Sequence, residues 1–222
     1  MQSKRALVIG ASGGIGQAIA TELRDRDAEV TTLSRSGDGL DVTDEASIKD
    51  ALDGLDHPFD LVFVATGALT STRDAPEKSL SDLDAEELLA QMHLNAIGPA
   101  LILKHLKPHI PRKERFVFAA LSARVGSIGD NRLGGWYSYR TSKAALNALL
   151  HGAAVEIARN RKEAIVTCLH PGTVSTSFTE DYPDHDKFTP DTSAAKLLEV
   201  IKGLTPDDTG RFFDYAGKEI PW

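Results

Sequence analysis

The chain has 222 residues, 41% of them hydrophobic and 26% charged, which suits one globular domain and excludes a disordered, collagenous or fibrous chain. Its 32 acidic and 25 basic residues give a net charge of −7, which argues against nucleic-acid backbones and anionic membrane surfaces as partners. The single cysteine, Cys168, rules out an internal disulfide and a zinc–thiolate cluster, so a reducing, cytoplasmic setting is expected and no metal.

No apolar run approaches the roughly 18 residues needed to span a bilayer. Lys4 and Arg5 precede an uncharged run, Ala6 to Ala20, that has the outline of a leader peptide. Gly10, Gly13, Gly14 and Gly16 interrupt it, and they have a better use below.

Short apolar runs alternate with longer helical patterns. Arg5–Ile9 reads as a strand and 14–27 as a helix; 29–33 is a strand and 45–55 a helix capped by Thr43 or Asp44. A buried strand, 61–65, precedes a long helical pattern, 83–107, with an interruption expected near Gly98-Pro99. Strand 115–121 leads to a glycine-rich loop and the helix 137–159. Strand 164–169, a helix over 192–202 capped by Asp191, and strand 211–215 complete the series. Six strands separated by helices predict an α/β domain over residues 1–222: a doubly wound parallel sheet with helices on both faces. In such sheets ligands bind at the carboxyl ends of the strands.

The unusual residues cluster at those ends. After the first strand comes Gly10-Ala11-Ser12-Gly13-Gly14-Ile15-Gly16, opening a helix. Glycines there let backbone N–H groups approach a pyrophosphate, and the helix N-terminus adds its positive dipole end, so dinucleotide binding is expected. The second strand ends Leu33-Ser34-Arg35-Ser36, with no acid before Asp38 to hold a ribose hydroxyl. A guanidinium at Arg35 suits a 2′-phosphate, which favours NADP over NAD. On the long helix, Tyr139 and Lys143 are four residues apart and share a face. A lysine that lowered the phenol pKa from about 10 to about 7 would supply roughly 4 kcal/mol and a usable acid/base.

Together, Gly10-x-x-x-Gly14-x-Gly16 and Tyr139-x-x-x-Lys143 resemble the short-chain dehydrogenase/reductase family, whose fold is Rossmann-like. Asp41-Val42 resembles the family's adenine-contacting pair. Asn95 is similar to its helix asparagine, and Pro171-Gly172-Thr173-Val174-Ser175-Thr176 to its nicotinamide-holding loop. Val125 to Ile128, Gly134 to Arg140 and the terminal Ile220-Pro221-Trp222 resemble the C-factor and carbonyl-reductase branch. The resemblance implies hydride exchange between NADP(H) and a small carbonyl or alcohol substrate. Tyr139 would be the acid/base, Lys143 its modulator and a ribose ligand, and Asn95 part of the proton relay. It also implies a homodimer or homotetramer that pairs the two long helices. A signalling or regulatory protein of C-factor type, with little turnover, is the alternative.

Two departures stand out. Where the family has Asn-Asn-Ala-Gly, this chain reads Val64-Ala65-Thr66-Gly67 and keeps only Gly67. The family's carbonyl-polarising serine stands shortly before a loop glycine, here Gly126, and Ala123 holds that position. Counting from the strand end selects the adjacent Ser122, whereas counting back from Tyr139 leads to Ser127. His105 with His109, and Cys168 with His170, read as surface and core residues respectively. The segment 180–186, with Phe178, Tyr182 and Phe188 around it, could cover the substrate as an apolar lid.

Overall fold

The inner strands read as apolar runs without polar alternation because both faces of the sheet are covered there, whereas the edge strand 29–33 stays partly exposed. The structure, a computed structural model, describes residues 4–56, 58–180 and 186–222. Its six strands are β1 (Arg5–Ile9), β2 (Glu29–Leu33), β3 (Leu61–Val64), β4 (Phe116–Leu121), β5 (Ala164–His170) and β6 (Phe212–Asp214). They form one all-parallel sheet in the order β2-β1-β3-β4-β5-β6. Within β1, Leu7 and Ile9 belong to one core cluster and Ala6 and Val8 to the other. The helices α1 (Gly14–Asp25) and α7 (Pro190–Gly203) cover the second cluster through Ile19, Leu23, Leu197 and Ile201. The opposite face packs under α3 (Glu45–Asp53), α5 (Gly98–Leu106) and α6 (Tyr137–Ala158), through Ile48, Ile102, Leu146 and Leu150.

The chain leaves β1 outward to β2 and then returns to β3 on the other side of β1. That reversal opens a crevice at the carboxyl ends of β1 and β3, where the glycine-rich turn lies. The expected strand and helix sequence is observed, with helix ends shifted by local chemistry. Asp44 caps α3, accepting from Ala46 N–H at 3.0 Å, so it and not Thr43 is the cap. The last helix begins two residues earlier than its apolar pattern, at Pro190. Thr189, rather than Asp191, caps it by accepting from Thr192 N–H at 3.1 Å. Proline at the first helical position costs nothing there, because its missing N–H would have had no partner. A short helix unmarked by apolar periodicity, α2 (Arg35–Asp38), starts where Ser34 Oγ accepts from Gly37 N–H at 3.0 Å.

The long pattern over 83–107 is continuous but not uniform. It comprises α4 (Ala85–Met92), a wide π turn over His93–Ile97, and α5. The irregularity therefore falls just before Gly98-Pro99. Proline cannot donate to the preceding turn, and the wider winding accommodates that loss. Gly98 is required for a second reason: a Cβ there would lie 2.5 Å from the Val42 carbonyl oxygen. The helix thus rests backbone against backbone on the turn after β2. Gly98→Ala is expected to lose about 1–3 kcal/mol through overpacking, read as a Tm lowered by roughly 3–10 °C in a thermal melt. An unchanged Tm would mean that this contact relaxes freely.

Candidate active site

A cavity of about 500 Å³ opens at the carboxyl ends of β1, β3, β4 and β5. Its floor begins at the glycine-rich turn. Gly10 has φ +88°, and a Cβ there would sit 2.9 Å from the Ala65 carbonyl carbon; one on Gly16 would sit 2.3 Å from Gly10 O. Larger residues cannot occupy either position without moving backbone. Helix α1 has Gly13 as its N-cap, no side-chain cap and no acid in its first turn. Gly14, Ile15 and Gly16, the first three helical residues, line the cavity, and the N–H groups of such an uncapped first turn are suited to an anion. Across from them, a Cβ on Gly14 would press to 2.8 Å on Thr176 Cγ2. The Pro171–Thr176 loop therefore closes the cavity's other side, with Pro171, Gly172, Val174 and Thr176 in its wall.

Thr66 and His170 also line the cavity, and Thr66 Oγ1 and His170 Nδ1 are buried without a hydrogen-bond partner among the described residues. Burial holds His170 neutral, with its pKa down to about 4. Uncapped helix donors, glycines packed too closely for a side chain, and orphaned polar atoms suit a polar, phosphate-bearing dinucleotide.

The residues expected at its adenosine end lie outside this cavity, along the turn after β2. Gly10 and Ala11 N–H both donate to Leu33 O, at 2.8 and 3.3 Å, so this turn abuts the glycine loop. Arg35 is exposed at the start of α2, and Ser12 is exposed on the glycine loop. The Asp41 carboxyl accepts from Thr43 N–H at 2.8 Å and Thr43 Oγ1 at 2.7 Å. Those bonds, and then the nearby Arg35 charge, hold it below the usual carboxylate range. Val42 is buried beneath Gly98.

Tyr139 and Lys143 lie on the first two turns of α6, buried against the same cavity. Lys143 Nζ stands 5.8 Å from the Tyr139 ring centroid and donates to Leu121 O at 2.9 Å. A Cβ on Gly67 would lie 3.2 Å from Lys143 Nζ and 2.9 Å from Asn95 Oδ1, so both side chains close on the backbone at Gly67. Asn95 sits in the π turn, fully buried just behind the cavity wall. Its amide exchanges hydrogen bonds with Ala68 N–H and C=O, both at 3.0 Å, and donates to Ser142 Oγ at 3.1 Å.

The expected electrostatics do not hold. Burial pushes the Tyr139 phenol above its usual range rather than toward neutrality, because the low-dielectric site opposes phenolate formation. The same burial pulls the Lys143 ammonium down to about 8, so its charge is itself weakened and does not offset the effect. Tyr139 is thus held neutral.

Of the two serines, Ser122 lies on the cavity and Ser127 does not. Ser122 Oγ is nevertheless committed, donating to Asn147 Oδ1 at 2.7 Å, while Ser127 Oγ accepts from Asp130 N–H at 3.1 Å. Ala123 lines the cavity beside Ser122.

Several site residues escape sequence reasoning. Gln91 is fully buried one helical turn before Asn95, and its Oε1 accepts from Asn95 Nδ2 at 2.5 Å. The four-residue spacing was the available signal. Trp136 lines the cavity and meets the Tyr139 ring edge-on, with centroids 6.3 Å apart. Two glycines before an aromatic residue mark the sharp turn that places it. Of the expected lid, Phe178 packs on Tyr139 at 5.7 Å, and Phe188 pairs with Tyr215 at 4.8 Å instead. Tyr182 lies outside the described residues. Cys168 is buried, and burial pushes its thiol up to about 12, as befits a core residue. His105 pairs with Glu45 at 2.9 Å on the surface.

Comparison with known proteins places this site in context. The family model described as Enoyl-(Acyl carrier protein) reductase matches residues 10–213. The chain is 32% identical to 1-hydroxy-2-glutathionyl-2-methyl-3-butene dehydrogenase of Rhodococcus sp. (strain AD45), over 97% of this chain and 98% of that protein. It is 38% identical to C-signal of Myxococcus xanthus over 65% of this chain and 84% of that one. Its fold superposes on NADPH-bound carbonyl reductase from chicken fatty liver with a TM-score of 0.79, at 22% identity and 100% coverage of both chains. With the doubly wound sheet, the glycine-rich turn and the Tyr139–Lys143 helix all present, this chain belongs to the short-chain dehydrogenase/reductase family of oxidoreductases.

Proposed function

We propose that this protein is an NADP(H)-dependent carbonyl reductase or alcohol dehydrogenase acting on a small molecule. The observation that carries the reading is that Tyr139 and Lys143 line the same cavity as the uncapped first turn of α1. The dinucleotide supplies or accepts the hydride. Tyr139, kept neutral by burial, gives its proton to the carbonyl oxygen as negative charge develops there. Lys143 and Asn95 hold the floor of the site through Leu121 and Ala68, and Lys143, with its Nζ 5.8 Å from the Tyr139 ring centroid, returns a proton to the phenol. Arg35 takes the adenosine 2′-phosphate, and the Pro171–Thr176 loop takes the carboxamide. Similarity to NADPH-bound reductases and to a dehydrogenase supports this assignment. Leu89 on α4, with Leu149 and Val155 on α6, is an exposed large hydrophobic residue, which suits a homodimer through these helices. A cytoplasmic location fits the lone thiol. Among the described residues, no helix is long and apolar enough to cross a membrane.

A second reading, a dinucleotide-binding signalling protein with little turnover, is favoured by the engagement of Ser122 Oγ with Asn147 and by alanine at position 123. Similarity to C-signal points the same way. NADPH oxidation against a panel of aldehydes and ketones separates the two. Turnover supports the enzyme, and its absence across the panel supports the second reading.

Three outcomes follow for the enzyme. Tyr139→Phe should lower kcat at least 100-fold while NADPH affinity stays within about twofold, since its hydroxyl serves the substrate oxygen. Tyr137 lies about 200° round the helix, and Tyr137→Phe should be mild. Equal losses would mean the wrong tyrosine was chosen.

NADPH should bind at least tenfold more tightly than NADH, with Arg35→Ala erasing the difference; one guanidinium–phosphate contact is worth about 1.5–3 kcal/mol. Fluorescence titration with both cofactors checks it, and equal wild-type affinities would refute the assignment of Arg35.

Lys143 binds fewer protons folded, with its pKa near 8, than unfolded, near 10.5. Its burial therefore costs stability below pH 8, and the penalty is relieved as pH rises toward 10.5. Between about pH 7.5 and 9.5, wild type should gain on Lys143→Met by an amount of order 1–2 kcal/mol in denaturant unfolding. A pH-independent difference would show that the ammonium is not desolvated.

A further inference from the structure

The helix that carries Tyr139 begins without a cap of its own. Its N-cap is Trp136, in the left-handed region at φ 52°, and its side chain accepts no capping bond. Gly134 and Gly135, both at φ +65°, precede it, so three consecutive left-handed residues deliver the chain into α6. A helix entered in this way leaves its first N–H groups without a local acceptor.

The acceptor comes from 61 residues earlier in the chain. Glu77 is 1% exposed, and both its carboxylate oxygens accept from Ser138 N–H at 3.3 Å. Its Oε1 also accepts a short bond from Ser138 Oγ. The Glu77 carbonyl accepts from Trp136 N–H at 2.5 Å. No ion pair among the described residues includes this carboxylate. Its oxygens face the N-terminal end of α6 instead. Ser138 lies between Tyr137 and Tyr139 in the first turn, and Trp136 packs edge-on against Tyr139 in the cavity wall.

The segment bearing Glu77 is anchored in turn. Glu87, also 1% exposed, accepts from Ser71 N–H at 2.9 Å and from Thr72 Oγ1 at 2.8 Å. Asn95 clamps Ala68. The loop after β3 therefore reaches α6 as a fixed strut.

We infer that Glu77 is a positioning residue for Tyr139: its buried carboxylate and its backbone carbonyl together cap α6 from outside the helix and so set where the phenol and the Trp136 wall stand in the cavity. This inference rests on the reading of Tyr139 as proton donor. Gln at position 77 keeps an acceptor for Ser138 N–H and can donate to Ser138 Oγ, whereas Ala keeps neither.

The test compares Glu77→Ala, Glu77→Gln and wild type as full-length protein. Bound NADPH is counted by fluorescence titration, so that kcat is expressed per competent site and lost folding does not mimic lost positioning. Glu77→Ala is expected to lose at least tenfold in kcat per bound NADPH, with KM for the carbonyl within threefold, and Glu77→Gln to restore at least a third of the wild-type rate. A kcat per site within twofold of wild type in Glu77→Ala, or an equal loss in Glu77→Gln, overturns it. A second readout does not depend on turnover. The chain has two tryptophans, so a Trp222→Phe background leaves Trp136 as sole emitter. A red-shifted Trp136 emission on adding Glu77→Ala supports the capping role, and an unchanged spectrum overturns it. If wild type reduces no carbonyl, the proposed function fails while the emission still judges Glu77.

Discussion

Burial of the sheet on both faces is the constraint from which the rest of this structure follows. Once helices cover both sides of β1, β3, β4 and β5, a polar side chain that must meet a ligand is left only the strand ends, as His170 at the end of β5 shows. Chemistry is confined to the carboxyl edge, where strands give way to turns. The reversal of strand order at β1 and β3 opens that edge into a crevice. The cavity-lining side chains used by the proposed reaction, Tyr139 and Lys143, come from the first two turns of α6.

A crevice between turns is only as exact as the turns are stiff, and here buried polar groups stiffen them. Glu87, Gln91 and Asn95 follow one another at four-residue spacing down α4 and the π turn, all nearly inaccessible. Gln91 Nε2 reaches Ser71, Asn95 reaches Ala68 and Ser142, and Glu87 holds Ser71 and Thr72. One helix face thereby fastens the long loop after β3 and ties it to α6. Each group is paired, which is what lets so much polarity sit inside without destabilising the fold.

Desolvation is the other side of the same burial. It raises the Tyr139 phenol, lowers the Lys143 ammonium and holds His170 neutral. Tyr139 and His170 therefore stand neutral beside a Lys143 ammonium whose charge is held less firmly than in water. The outer turn keeps Arg35 and Asp41 near solvent, and Arg124, paired with Asp130 and Asp214, lines the cavity itself.

The sequence by itself determined the strand and helix series, the parallel double winding, and the glycine turn, because each follows from local pattern: apolar run length, helical periodicity, and glycine where backbone must approach backbone. It also placed Tyr139 and Lys143 on one face, since helical spacing alone decides that. The tertiary structure decided what depends on partners far apart in the chain. The direction of the Tyr139 shift follows from how deeply α6 is buried, which spacing cannot tell. Ser122 reaches the cavity but spends its hydroxyl on Asn147, a contact across 25 positions. Thr189 capped α7 where Asp191 was expected, because a cap is chosen by backbone geometry and not by residue type alone. Glu77 lies in a loop with no periodicity to mark it; only the folded chain brings its carboxylate to the start of the helix it caps.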